Sequence, residues 1–407
     1  MKKIIAMLLA CMMIIGLFAG CGEKAEAITL TVWGPQADQG ENGNGWLQQQ
    51  CEAFAKAHPE YKITFNYGVC SEGDAATQVG KDPSAAADVF FYANDQIGTL
   101  LQSNALAQFG GDFAAEIKAN NSDTMVNSVT YTDGGIYGVP FTPNSWFMYY
   151  NKSVFTEEDI KSLDKMLEKG KVGFNVGDGW YFASFYVANG GTLFGANGVD
   201  AAAGIQFGGD NGVAVTNYLV DLVANPNFVV DNNNEVALGL MAEGKCDAFF
   251  SGTWKADAAK TALGENYAAA QLPTITINGE AKQLRAFAGS KCIGVNPNAK
   301  NQKAALALAV FLGSKDAQLA HYKNGNIAPC HPELASDATI AADVAVSALI
   351  KSIANSSVGQ PTITEMGNYW TAAGNMASEI INGTVTHDNA VEKTEAFFNA
   401  INGKGGL

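Results

Sequence analysis

Between residues 28 and 106 the chain switches repeatedly between two hydrophobic periods. In "ITLTVWG" (28–34) Ile28, Leu30 and Val32 alternate along one face, which predicts a strand. "WLQQQCEAFAKAH" follows with Leu47, Cys51, Phe54 and His58 at helical spacing. "YKITFNYGV" alternates again, "SAAADVFFYA" gives a third strand, and "QIGTLLQSNAL" a second helix. Strands alternating with helices imply βαβ units and a parallel sheet, so the fold class expected is α/β. Ligands of such sheets bind at the carboxyl ends of strands. The third strand ends there in "YANDQ": an aromatic ring, then Asn94, Asp95 and Gln96, three planar polar side chains in a row.

A second pattern begins after "GGIYGVPFTPNSWF" (134–147), punctuated by glycines and prolines. "MYYNK" reads as a strand, 156–170 as a charged amphipathic helix and 215–225 as a helix with a strong apolar face. The stretch 235–254 runs from helix through a turn to a strand. Residues 270–296 read as strands around a hairpin at "NGE", 303–314 as a buried helix, and 364–401 as two helices. A length of 407 residues suits two domains.

The net charge of −15 argues against nucleic acid and against a surface held electrostatically to anionic lipid. The N-terminus reads as an export signal: "MKK", then the apolar run "IIAMLLACMMIIGLF", then "LFAGC". The last resembles a bacterial lipoprotein signal in which Cys21 is acylated. Residues 1–20 are then the signal and 21–27 a tether. Export permits disulfides. Cys51–Cys70 is the preferred bridge, tying the first helix to the end of the second strand, with Cys246–Cys292 a weaker pairing and Cys330 left over.

Four dispersed histidines and no paired-cysteine spacing leave no metal-site pattern, and no cofactor is expected. "GLMAEGKC" (239–246) approaches a phosphate-cradling loop, but Cys246 replaces the hydroxyl residue that would hold magnesium. What remains is aromatic. Trp180, Trp254 and Trp370 lie beside Gly, Asn and Asp in "VGDGWYF", "SGTWKAD" and "MGNYWTA", whereas Trp46 and Trp146 read as core. Aromatics in such company suit carbohydrate. A sugar presents an apolar C–H face to a ring and a hydroxyl rim to amides and carboxylates. Neutral hydrogen bonds net roughly 0.5–1.5 kcal/mol each. A micromolar site needs about −8 kcal/mol after the cost of association, so rings must supply much of the binding.

The order of "ITLTVWG", "ADVFFYANDQIGTLLQSNAL", "YGVPFTPNSWFMYYNK", "FNVGDGWYFASFYVANGG", "EGKCDAFFSGTW" and "MGNYWTAAGNMASEIINGTVT" closely resembles the maltose/maltodextrin-binding protein family. These are extracellular solute-binding components of carbohydrate ABC importers. The resemblance implies a two-lobed periplasmic-binding-protein-like fold, each lobe a mainly parallel sheet flanked by helices and joined by a hinge. Lobe one is expected at 28–142 plus 288–334, and lobe two at 143–287 plus 335–407. It implies a monomeric, non-enzymatic lipoprotein on the outer face of a Gram-positive cell membrane. There it captures maltodextrin between the lobes and delivers it to an ABC permease. Another oligosaccharide is the alternative ligand. A glycan-cleaving enzyme using Asp95 or Asp178 is the rival from another class.

Position by position, the resemblance puts Asp95 at a sugar-binding aspartate, with Tyr92 and Asn94 beside it and Gln96 where relatives carry Arg. Asn144 stands in place of a sugar-binding Glu. Asp178, Trp180 and Tyr181 match an acidic-aromatic cluster. Trp254 and Trp370 match stacking tryptophans, with Tyr369 beside the latter. Gln36 and Asp38 sit in the loop after the first strand, expected to reach the cleft. Rings from opposite lobes are expected to sandwich the sugar.

Overall fold

The strand Val89–Ala93 is buried at all five positions, because both its faces are covered. In the computed structural model, which describes residues 25–40, 45–195, 198–231 and 235–404, it lies inside a six-stranded sheet. The expected signal and Cys21 fall outside the described residues. Val89–Ala93 runs parallel to Glu26–Gly34, which is in turn parallel to Tyr61–Val69. On its other side it pairs antiparallel with the long strand Ala286–Val295. Its core partners include Leu30, Val32, Phe54 and, from far along the chain, Leu308 and Leu312 of the helix Gln302–Leu312.

A five-stranded sheet forms the second lobe from Phe147–Asn151, Val172–Phe174, Phe228–Val230, Ala248–Ser251 and Tyr267–Ala270. Successive side chains on a strand face opposite ways. Phe147 and Tyr149 therefore pack with Phe249, Ala345 and Leu349 on one face. Met148 and Tyr150 pack with Phe174, Phe182 and Phe250 on the other. Both faces are covered, so the strand reads as an uninterrupted aromatic run.

The two sheets are joined by strands that pass from one core to the other. Phe141 belongs to the first core and Trp146 to the second, with only four residues between them. The long strand begins in the second core at Ala286 and Phe287, and ends in the first at Cys292, Ile293 and Val295. Ser357–Gly359 pairs with its first residues, beside this crossing. The segment 318–334 touches both lobes. His321 Nε2 lies 2.7 Å from the Asp38 carboxylate of lobe one, and the Tyr322 hydroxyl donates to Asp343 of lobe two at 3.0 Å.

Three expectations are corrected. The amphipathic helix over 156–170 is instead a short 3-10 turn, Asp159–Lys161, and a helix Leu163–Lys169. Ser162 breaks it by capping the second helix through the Lys165 N–H. The Cys51–Cys70 bridge is absent, and both are buried free thiols. Cys51 faces the sheet, hydrogen-bonded to the Tyr67 hydroxyl, with its thiol pushed up to about 12 by desolvation. Cys70 turns its sulfur toward the Ser71 carbonyl at 3.4 Å. The weaker pairing is absent too: Cys246 lies in a core of lobe two and Cys292 in that of lobe one.

Candidate functional site

One cavity of about 700 Å³ lies where the two lobes meet, within the usual size for a small-ligand site. Asp95, Gln96, Asn144, Asp178, Trp180, Trp254 and Trp370 all line it. They come from segments far apart in sequence, and each is aimed by its own local structure.

Val89–Ala93 ends in a single 3-10 turn, Asn94–Gln96, which tips Asp95 into the cleft. Its carboxyl is pushed up to about 7 by desolvation, partly offset by a backbone N–H. Asn94 faces inward instead. Its side-chain oxygen accepts from the Ser290 N–H at 3.1 Å. A Cβ at Gly289 would stand 2.1 Å from that oxygen, so only glycine allows the approach. Gln96 lines the cavity, but its amide is already committed. It accepts from the Ala76 N–H at 2.7 Å and donates to the carbonyls of Glu72 (3.0 Å) and Gly73 (2.7 Å). It staples the 72–76 segment to the end of the strand.

On the facing side, Asp178 caps the helix Gly179–Ala188 by accepting from the Trp180 N–H at 2.8 Å. The Trp180 indole donates to Gln360 at 3.2 Å, and its ring lies 6.2 Å from that of Trp254, tilted by 38°. Trp254 stands just past the strand Ala248–Ser251 and is 40% exposed. Trp370 opens the helix Gly367–Ile381, backed by Phe287 and Tyr369 with ring centroids at 6.2 and 5.2 Å.

Several expected contacts do not reach the cavity. Tyr92 is fully buried, its hydroxyl donating to the Tyr137 carbonyl at 3.2 Å. Tyr181 packs on Trp146 at 4.9 Å inside lobe two. Tyr369 is buried, and its hydroxyl donates to the Gly179 carbonyl at 2.7 Å, tying the Trp370 helix to the Trp180 helix. Asp38 is turned inward onto His321 Nε2 at 2.7 Å, and Gln36 is exposed outside the cavity lining. With Tyr92 buried, the large rings all come from lobe two, and the expected sandwich of rings from both lobes is replaced by a ring wall facing a polar wall.

Sequence reasoning missed Glu72, Lys291, Gln360 and Thr364, which also line the cleft. Only Glu72 carried a signal, as part of the segment after the second strand. The others are brought in by segments distant in sequence, Lys291 opposite Ala93 and Gln360 just past the strand paired with Ala286–Ala288. Among the described residues no group of three or more His, Cys, Asp or Glu is placed to hold a metal ion.

A family described as bacterial extracellular solute-binding protein matches residues 49–348. The chain belongs to that family. A solved structure determined with acarbose is 51% identical and covers 93% of this chain and 99% of its own, with a TM-score of 0.89. The maltooligosaccharide ABC transporter solute-binding lipoprotein of Streptococcus pneumoniae R6 is 27% identical over 398 residues, 90% of this chain and 89% of the relative. The galactooligosaccharide-binding protein of Bacillus subtilis 168 is 25% identical over 399 residues, 92% of this chain and 91% of the relative.

Proposed function

We propose that this protein captures maltodextrins in the interlobe cleft and delivers them to an ABC permease, without chemistry on the sugar. One observation carries this reading. Trp180, Trp254 and Trp370 on one wall, and Asp95 on the other, line a single cavity of about 700 Å³. The rings offer flat apolar surface to the C–H faces of glucose units. Asp95 and Asn144 offer acceptors and donors to the hydroxyl rim. A ligand favours closure only through contacts made with both lobes, and this cleft provides them from both. The likeness to the pneumococcal maltooligosaccharide lipoprotein and to the structure with acarbose supports the α-glucan assignment.

On this reading the signal is removed, Cys21 is acylated, and the 21–27 tether holds a monomer at the outer face of a Gram-positive cell membrane. Lobe one is 28–142 plus 288–334 and lobe two the remainder, with the hinge where the strands change core. Calorimetry against maltotriose and maltotetraose, paired with small-angle scattering, tests the reading. Micromolar binding with compaction is expected. Absence of both heat and compaction with every α-glucan tried would sink it. The second reading is the same role for a galacto-oligosaccharide, favoured by the Bacillus relative. Preference for a galactosyl over a glucosyl trisaccharide in the same titration would establish it.

A further inference from the structure

Lys291 is the one lysine that lines the cleft among the described residues, and three features converge on it. It lies on the long strand opposite Ala93, which also lines the cleft, and directly opposed residues of antiparallel strands share a face. Beside it the pairing with Val139–Asn144 slips by one residue, between Lys291 and Cys292. Such bulges bend a strand and re-aim its side chains next to sites. The ammonium is held by Glu72 of the same lobe at 3.1 Å, both side chains being largely shielded from water. It stands 5.4 Å from the centroid of the Trp254 ring, which belongs to the other lobe.

A pyranose stacked on Trp254 needs van der Waals separation on each of its two faces, about 3.5–4 Å apiece. A cation on the far side of such a sugar would therefore stand about 7–8 Å from the ring. At 5.4 Å the ammonium takes the place a sugar would occupy. We propose that Lys291 is an interlobe latch that caps the Trp254 ring before sugar binds and is displaced by the entering saccharide. The latch joins the lobes across the cleft, so it holds the free protein closer to its closed form. A cation–π contact of this kind shifts the closed-to-open ratio by about two- to fivefold at a solvent-accessible site.

The inference rests on the saccharide-binding reading of the cleft, and the test separates the two. The full mature chain is labelled with 5-fluorotryptophan, and Trp254 is assigned by Trp254→Phe. In the free proteins the Trp254 fluorine resonance should move in Lys291→Met and return toward the wild-type position in Lys291→Arg. Saturation with maltotetraose should bring wild type and Lys291→Met to a common position. Scattering should show a larger radius of gyration for free Lys291→Met than for free wild type, and equal radii with sugar bound. Coincident free-state resonances would overturn the latch, as would a difference that persists undiminished with sugar. If maltotetraose moves no tryptophan resonance in either protein, the saccharide reading fails, while a free-state difference still reports the Lys291–Trp254 contact.

Discussion

The two walls of the cleft are built from different chemistry. Lobe two contributes Trp180, Trp254 and Trp370, with Asp178 at their edge. Lobe one contributes Asp95, Gln96, Thr99, Glu72 and Lys291, and no large ring. Burial on the ring wall scales with apolar area and is indifferent to which hydroxyl points where. The polar wall does the opposite: each hydrogen bond nets little, but a mismatched hydroxyl leaves a shielded group unpaired. Affinity should therefore reside mainly in lobe two, and selectivity and pH dependence in lobe one.

The largest expected effect follows from Trp370. It is backed by Phe287 and Tyr369, so its ring is held facing the cleft. Trp370→Ala should weaken maltotetraose binding by about 2–3 kcal/mol, the size of a strong aromatic anchor. It should also shrink the negative heat-capacity change of binding, since apolar area is lost. Calorimetry at two or more temperatures reads both. Unchanged affinity would remove Trp370 from the ligand surface and break the contrast between the walls.

Asp95 comes next. Hydroxyls that donate to its carboxylate favour the ionised form, and the free carboxyl sits at about 7 because burial disfavours its charge. Binding should therefore weaken as the pH falls from 8 to 6. Asp95→Asn should weaken binding at pH 8, by about 1.5–3 kcal/mol if a charged hydrogen bond is lost, and flatten this pH dependence. Without sugar the sign reverses. The folded carboxyl holds its proton more tightly than the unfolded one, so its ionisation erodes stability as the pH rises from about 4 through about 7. Asp95→Asn should thus raise the melting temperature of the free protein at pH 8 and leave it unchanged at pH 4. Asp178, at the edge of the ring wall, is also pushed up by desolvation, so an Asp178→Asn variant that keeps the wild-type pH profile would place the titration on the polar wall.

The fold was legible because periodicity survives in single elements. The alternation of Ile28, Leu30 and Val32, and the buried run Val89–Ala93, reflect which faces are covered. The stacking tryptophans were legible from their polar and glycine neighbours. The tyrosines beside them were not. On a helix, consecutive side chains point about 100° apart, so when Trp180 and Trp370 face the cleft, Tyr181 and Tyr369 turn into the core. Tyr92 is lost for another reason: its strand is covered on both faces. Gln96 stands in the row of planar polar side chains after the strand, but sequence cannot show that its amide is used by the backbone of residues 72–76. Lys291 and Gln360 carried no local signal, since only the pairing of the long strand and the segment after Gly359 brings them to the site.

The smallest expected effect concerns the support of the ring wall. A Cβ on Gly252 would lie 2.0–2.5 Å from three atoms of the Trp254 six-membered ring. The Gly252 backbone, at φ −94° and ψ −173°, is extended and open to any residue. Gly252→Ala therefore meets no backbone strain, and its one obstacle is the ring. That ring is 40% exposed, so its displacement should change stability by less than about 1 kcal/mol. Affinity should fall several-fold, because the displaced ring no longer lines the cavity beside Trp180. The drop should approach, and not exceed, that of Trp254→Ala, and the double variant should lose no more than Trp254→Ala alone, because both changes act on one ring. An additive double variant would place the role of Gly252 outside Trp254.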